Sequence, residues 1–197
     1  MPSPPNPYSP WWTCSSGGCA LDPSRFISPP YSVRTDRGWE CFMYLQRNPP
    51  LNIPYGYISI NIYPIDNARF IFYFRMQDWS PSLFTLSHYM LTTSLLEGTD
   101  LWIRVLDVWQ HLGHSPWSLS ADTWQHIRCA WTPYPPRDPT PSLKVALSNL
   151  ESGLWIQKAA FYHPENKWRT ASENGVGINN ARPQAWIDNF ALYQYNP

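Results

Sequence analysis

The sequence is short of charge. Asp, Glu, Lys and Arg make up 14% of 197 residues, they sum to zero, and the Lys and Arg residues are scattered rather than clustered. A nucleic-acid partner needs a basic patch to meet its phosphates, so none is expected. Long apolar runs are also missing: no stretch approaches the eighteen or so residues of a membrane span, and no membrane partner is expected. The opening Met1-Pro-Ser-Pro-Pro-Asn-Pro-Tyr8 has neither the basic nor the apolar region of a secretory leader. The expectation is a protein that takes another route, or one whose leader has been removed. The four cysteines, Cys14, Cys19, Cys41 and Cys129, include no C-x-x-C pair, which removes the common zinc and redox patterns. Cys41 and Cys129 lie in strand-like segments and read as small buried hydrophobes. Cys14 and Cys19, across Ser-Ser-Gly-Gly, are a disulfide candidate in an oxidising compartment.

What is abundant is proline and aromatic residues, with 22 Pro, 12 Trp and 12 Tyr. Residues 1–30 carry Pro2, Pro4, Pro5, Pro7, Pro10, Pro23, Pro29 and Pro30, which remove backbone donors and fix φ. This stretch reads as an extended Pro-rich arm, and 31–197 as one domain of a size that buries a single core. Disordered tails are normally poor in aromatics, so Tyr8, Trp11 and Trp12 point to an arm that docks, either on this domain or on a neighbouring subunit.

From Tyr31 the pattern becomes that of strands. Tyr31–Thr35 and Trp39–Leu45 alternate around the turn at Asp36-Arg37-Gly38, and Gly56–Tyr63 with Arg69–Arg75 resembles a hairpin across Pro64–Asn67. Residues 76–100 are ambiguous, and irregular structure or an interrupted strand is expected there. Leu101–Leu106 is a strand, while Val108–Trp117 reads as a loop holding His111 and His114. In Trp124–Trp131 the residues Trp124, His126, Arg128 and Ala130 face one way and Gln125, Ile127, Cys129 and Trp131 the other. Both rows are largely apolar or aromatic, as in an inner strand with one row in a core. Ser142–Leu147, Leu154–Phe161, Gly175–Ile178 and Ala185–Tyr193 complete the set. With turn signals between them and no convincing amphipathic helix, the expected fold is all-β, a two-sheet antiparallel sandwich.

The segment Trp124-x-His126-Ile127-x-x-x-Trp131, a proline-rich tip, Leu143–Leu147 and a closing Ile187–Tyr193 resemble the concanavalin A-like, or laminin G-like, jelly-roll superfamily. That resemblance implies a jelly-roll sandwich. It implies no single activity, because the superfamily includes lectins, adhesion modules, glycan hydrolases and lyases, and phage virion proteins. Its glycosidases resemble one another in a strand that sets two or three carboxylates on one face, about 5 Å apart in retaining enzymes. Nothing here has that spacing, since Glu97-Gly-Thr-Asp100 reads as a turn, so a retaining glycosidase is not expected. A polysaccharide-degrading enzyme of the same fold, either a lyase built from scattered Tyr, His and Arg or another hydrolase, stays open as a further alternative. Asp188, before Asn189, resembles the position at which several members hold a structural Ca²⁺; the competing role is an aspartate that caps a strand end. No other cofactor is implied.

Exposed indole rings stack on sugar C–H faces, which makes tryptophan the candidate carbohydrate contact. Trp102, Trp124, Trp131, Trp155 and Trp186 lie on expected strands and are assigned to the core, leaving the loop residues Trp79, Trp109 and Trp117 as candidates. The favoured expectation is a non-catalytic structural or attachment module of a bacteriophage virion, assembled with itself or other virion proteins through its arm. The alternative is an extracellular or cell-surface lectin-like module that binds glycans.

Overall fold

The computed structural model describes residues 12–14, 19–35, 38–45, 53–65, 68–77, 87–136, 141–167, 173–180 and 185–195; for 12–14, 19–20, 38–45 and 173–180 it fixes the course of the backbone. Among them there are strands and no helix. In chain order these are β1 (Trp12–Cys14), β2 (Cys19–Asp22), β3 (Ser32–Thr35), β4 (Gly38–Leu45), β5 (Gly56–Pro64), β6 (Arg69–Gln77) and β7 (Ser87–Ser94). They continue as β8 (Thr99–Val105), β9 (Val108–Ser115), β10 (Gln125–Tyr134), β11 (Ser142–Glu151), β12 (Leu154–His163), β13 (Glu173–Asn180) and β14 (Ala185–Gln194). Two seven-stranded sheets result, a front sheet ordered β1-β4-β13-β6-β7-β8-β9 and a back sheet ordered β12-β11-β10-β5-β14-β3-β2. The expected two-sheet sandwich is what the chain forms.

Alternation builds the core. In β10, Gln125, Ile127, Cys129 and Trp131 are buried, while His126, Arg128 and Ala130 lie partly exposed on the outer face. Phe70, Phe72 and Phe74 of β6, with Tyr89 and Leu91 of β7, meet Ile58, Ile60 and Ile62 of β5 and Leu143, Val145 and Leu147 of β11, all fully buried. Phe74 stacks on Tyr89 at 5.4 Å within the front sheet and on Trp131 of the back sheet at 5.1 Å, which ties the layers together. Trp131 also donates its indole N–H to the Ile53 carbonyl at 3.3 Å.

Several segments differ from expectation for identifiable reasons. β5 and β6 are not a hairpin: β5 pairs with β10 and β14, and β6 with β13 and β7, so the turn between them crosses from one sheet to the other. Alternation is the same whether a strand pairs with its neighbour in sequence or not, so the pattern does not report the partner. Part of the Pro-rich arm is built into the sandwich, because the prolines leave two short clear runs. Trp12–Cys14 pairs with β4 and Cys19–Asp22 with β3, each at a sheet edge. Cys14 and Cys19 thus sit in edge strands of opposite sheets, and their sulfur contacts, like Tyr8 and Trp11, lie outside the described residues. The ambiguous region contains β7, and Val108–Ser115 is the edge strand β9 rather than a loop.

One end of the sandwich is closed by polar groups. Arg75 occupies a bulge of β6, has φ of 52°, and is fully buried. It donates to the Pro54 carbonyl (2.9 Å), to Asn166 Oδ1 (2.7 Å) and to the Lys167 carbonyl (2.8 Å), with the Tyr55 ring 5.1 Å from its guanidinium carbon. Such a cation is tolerated because its donors are matched. Beside it the Lys167 N–H donates to the Tyr89 hydroxyl at 3.0 Å, and that hydroxyl lies 2.7 Å from His163 Nδ1. The Tyr89 hydrogen then points at His163, which accepts as a neutral imidazole. Burial pushes the Tyr89 hydroxyl up to about 12 and holds His163 below its usual value of 6.5.

A histidine whose folded pKa is depressed takes up its proton more readily when unfolded, so stability is complete above pH 6.5 and declines as pH falls below it. Thermal scans from pH 7.5 to 5 are expected to show a falling Tm. His163→Gln should flatten that slope, leaving the part due to His126, whose pKa burial and the Arg128 charge also lower. A Tm that rises on acidification would contradict this assignment.

Candidate functional site

The outer face of β7, β8 and β9 gathers the chemistry. Register sets three rows across these strands: His88–Arg104–Trp109, Met90–Trp102–His111 and Thr92–Asp100–His114. The rows lie side by side because residues two apart on a strand face the same way. His111 and His114 are three apart and would normally face opposite sides. A register shift in β9, where Leu101 pairs with Gly113 and Trp102 with His111, inserts one extra residue and brings both onto the outer face. Leu112 turns inward onto the core. Gly113 is required there, since a Cβ would lie 2.7 Å from the Phe161 ring.

On this face lies a shallow depression of about 290 Å³ walled by Arg69, Met90, Thr92, Glu97, Asp100, Trp102 and Trp109. Trp109 is 45% exposed, and beneath and beside its ring lie His88, edge-on at 5.4 Å, and the Arg104 guanidinium at 5.3 Å. Arg104 pairs with Asp107, and its Nε is buried without a hydrogen-bond partner. Trp102 packs on His111 at 4.4 Å. One oxygen of Asp100 lies 2.9 Å from His111 Nε2 and 3.0 Å from His114 Nδ1. Arg69 and Glu97 close one side as an ion pair. Two indoles, Trp109 beside the Arg104 guanidinium and Trp102 beside the His111 imidazole, with the Asp100 carboxylate in the same depression, present apolar surface with donors and acceptors around it, the composition that holds a polyhydroxylated ring.

Of the residues singled out from sequence, Trp109 stands in this face. Trp117 does not: its ring packs against the core and its carbonyl accepts from Thr99 Oγ1 at 2.9 Å. Trp79 lies outside the described residues, and of Trp12 only the backbone pairing with Leu45 is described. Trp131 and Trp186 are buried as expected, but Trp102, Trp124 and Trp155 are only partly so, because each stands on an outer face where aromatic neighbours or an arginine cover it. The sequence does not single out His88 or Arg104 as site residues, Trp102 was assigned to the core, and Asp100, read as part of a turn, stands on β8. The alternation of His88, Met90 and Thr92 was a usable signal; the bulge in β9 was not visible.

The tyrosine, histidine and arginine that a lyase would need do converge, as Tyr89, His163 and Arg75, but inside the sandwich with exposures of 0%, 6% and 0%. Asp188 is buried and accepts the N–H groups of Ile27 and Ser28 on Oδ2, each at 2.7 Å, and that of Asn189 on Oδ1 at 2.7 Å. A ring of N–H donors fits a carboxylate that anchors a turn and does not fit a calcium ligand, which needs further oxygens around the ion. Among the described residues no group of three or more His, Cys, Asp or Glu is placed to hold a metal.

Neither a protein-family model nor a curated protein sequence matches the chain. Solved structures do. The carbohydrate-binding module CBM66 from Bacillus subtilis superposes with a TM-score of 0.57 at 11% identity, over 93% of this chain and 95% of that one. The exoplasmic domain of VIP36, in a form bound to Ca²⁺ and Man3GlcNAc, gives 0.60 at 9% identity over 95% and 85%. A PL-14 alginate lyase from Aplysia kurodai gives 0.59 at 7% identity over 90% and 87%. At these identities the likeness is one of fold, a two-sheet jelly-roll sandwich, which is the architecture the sequence resemblance implied.

If Asp188 anchors the 27–28 turn, Asp188→Ala strands three amides and should lower stability by roughly 2–4 kcal/mol. Chelator and added calcium should leave the wild-type Tm unchanged. A calcium-dependent Tm that Asp188→Ala abolishes would restore the metal role.

Proposed function

We propose that this protein is a carbohydrate-binding, lectin-like module that engages a glycan on the outer face of β7–β9 without cleaving it. The observation that carries the reading is the row His88–Arg104–Trp109, which sets a half-exposed indole beside a guanidinium donor. Trp109 is the stacking platform. Arg104, Asp100 and His111 hydrogen-bond the hydroxyls at its rim, and Trp102 forms the second apolar wall. Support comes from neighbours of the same fold whose names state that they bind carbohydrate or were solved with a mannose-containing glycan. A non-catalytic role is favoured because Glu97 and Asp107 are each held in an ion pair with an arginine, which opposes their service as a general acid. The neighbours described above do not favour the virion-attachment role, so the sugar-binding alternative takes its place.

On a glycan array the wild type is expected to bind a defined subset of sugars, and Trp109→Ala to weaken binding by about tenfold or more, as the loss of a stacked ring implies. Arg104→Ala should do the same while Tm stays within a few degrees. Absence of binding to any glycan, or binding indifferent to Trp109→Ala, would contradict the site. Release of reducing or unsaturated sugar ends from a bound polymer would contradict the non-catalytic role.

A further inference from the structure

The opposite face, on the back sheet, carries an arginine with no charge partner. Arg128 of β10 points outward between two rings, with its guanidinium carbon 3.8 Å from the centre of Trp155 and 4.6 Å from that of Tyr57. Tyr57 in turn stacks on Tyr193 at 4.6 Å. No described residue accepts a hydrogen bond from Arg128 or forms an ion pair with it, and its Nε is buried without a partner. Clamping by two rings removes most of the freedom of a long side chain, so the fork of N–H groups is held ready for an acceptor.

The surroundings are shaped to match. Tyr193, Tyr57, Ala130, Ala146 and Ala160 are successive register partners across β14, β5, β10, β11 and β12. Ala130, Ala146 and Ala160 therefore form a floor of methyl groups about 10 Å wide across three strands. On one side of it stand Trp155 and Arg128. On the other is the row Thr132–Lys144–Tyr162, in which Lys144 has no ion-pair partner among the described residues. The two acids nearest in the sheet are occupied: Glu151 pairs with Lys158 at 2.6 Å, and Asp188 holds its three amides. The result is a trough with a flat apolar floor, aromatic walls and two uncompensated cations.

We propose that this trough is a second binding site, which takes a sugar chain bearing oxyanion groups, with a carboxylate or sulfate on the Arg128 fork and the ring faces against Trp155 and Tyr57. A planar guanidinium makes two parallel hydrogen bonds to such a group, and Lys144 supplies a second point charge across the floor. An extended peptide is disfavoured, because the trough lies on the face of the sheet, where the strands' own pairing uses the backbone groups that a peptide would need. The site stands on the back sheet and does not rest on the glycan-binding reading of the front face.

Affinity electrophoresis of the full chain in gels containing alginate, dextran sulfate, neutral dextran or polyglutamate tests it. Retardation by alginate, dextran sulfate or both, and not by dextran, is the expected result; alginate alone identifies the carboxylate as the source of the oxyanion, and dextran sulfate alone the sulfate ester. Arg128→Gln should weaken that retardation about tenfold or more, the usual scale for a charge-assisted hydrogen-bond pair. Trp109→Ala should leave it unchanged, which separates failure here from failure of the front-face site. If Arg128→Gln does not fold, Arg128→Lys, which keeps the charge and loses the fork, should still weaken binding severalfold. Retardation by neither anionic sugar, equal retardation by polyglutamate, or affinity unaltered by the Arg128 substitutions overturns the proposal.

Discussion

The ring stack that runs from Trp131 through Phe74 to Tyr89 is the contact on which the rest of the molecule depends. It joins β10 of the back sheet to β6 and β7 of the front sheet, and all three side chains are fully buried. Because successive side chains in a strand face opposite ways, burying one row compels the next row outward. Fixing Tyr89 inward sends His88 and Met90 outward; fixing Trp131 inward sends Arg128 and Ala130 outward. A slip of one residue would exchange core and surface throughout, at a cost no pair of surface contacts could offset. The residues presented on each outer face are thus set by the interior.

The two outer faces inherit different electrostatics from this arrangement. On the front, Arg69 meets Glu97 and Arg104 meets Asp107 as ion pairs, and Asp100 accepts hydrogen bonds from His111 and His114. Such a face offers donors and acceptors in balance, which suits hydroxyl groups. On the back, Arg128 is bracketed by rings and answered by no carboxylate, which suits an anion. The cation–π contacts around Arg128 are worth roughly 0.5–2 kcal/mol each and orient the group rather than neutralise it. In the proposed function each face selects by the chemistry left unpaired on it.

Much of the fold was legible in the residues, and the reason is alternation. Gln125–Trp131 and Ser142–Leu147 announce their buried rows directly, and the absence of long amphipathic periodicity removes helices from consideration. Pairing was not legible, as β5 and β6 show, because a strand carries no label for its partner. The site was half legible. Trp109 could be picked out as an exposed indole, yet its neighbours are brought to it by register and by the extra residue in β9, and neither is encoded in local composition. Trp155 was misassigned to the core for a similar reason: an aromatic on an edge strand can be covered by an arginine two strands away.

The central claim is that register sets Trp109 and Trp102 on the front face as the sugar platform. Indole N–H signals, followed by NMR as a bound oligosaccharide is titrated in, test it most directly. The account predicts that the Trp109 and Trp102 signals move together while those of the core residues Trp131 and Trp186 stay fixed. Shifts confined to the back-face indoles Trp124 and Trp155, or movement of Trp131 alone, would contradict it.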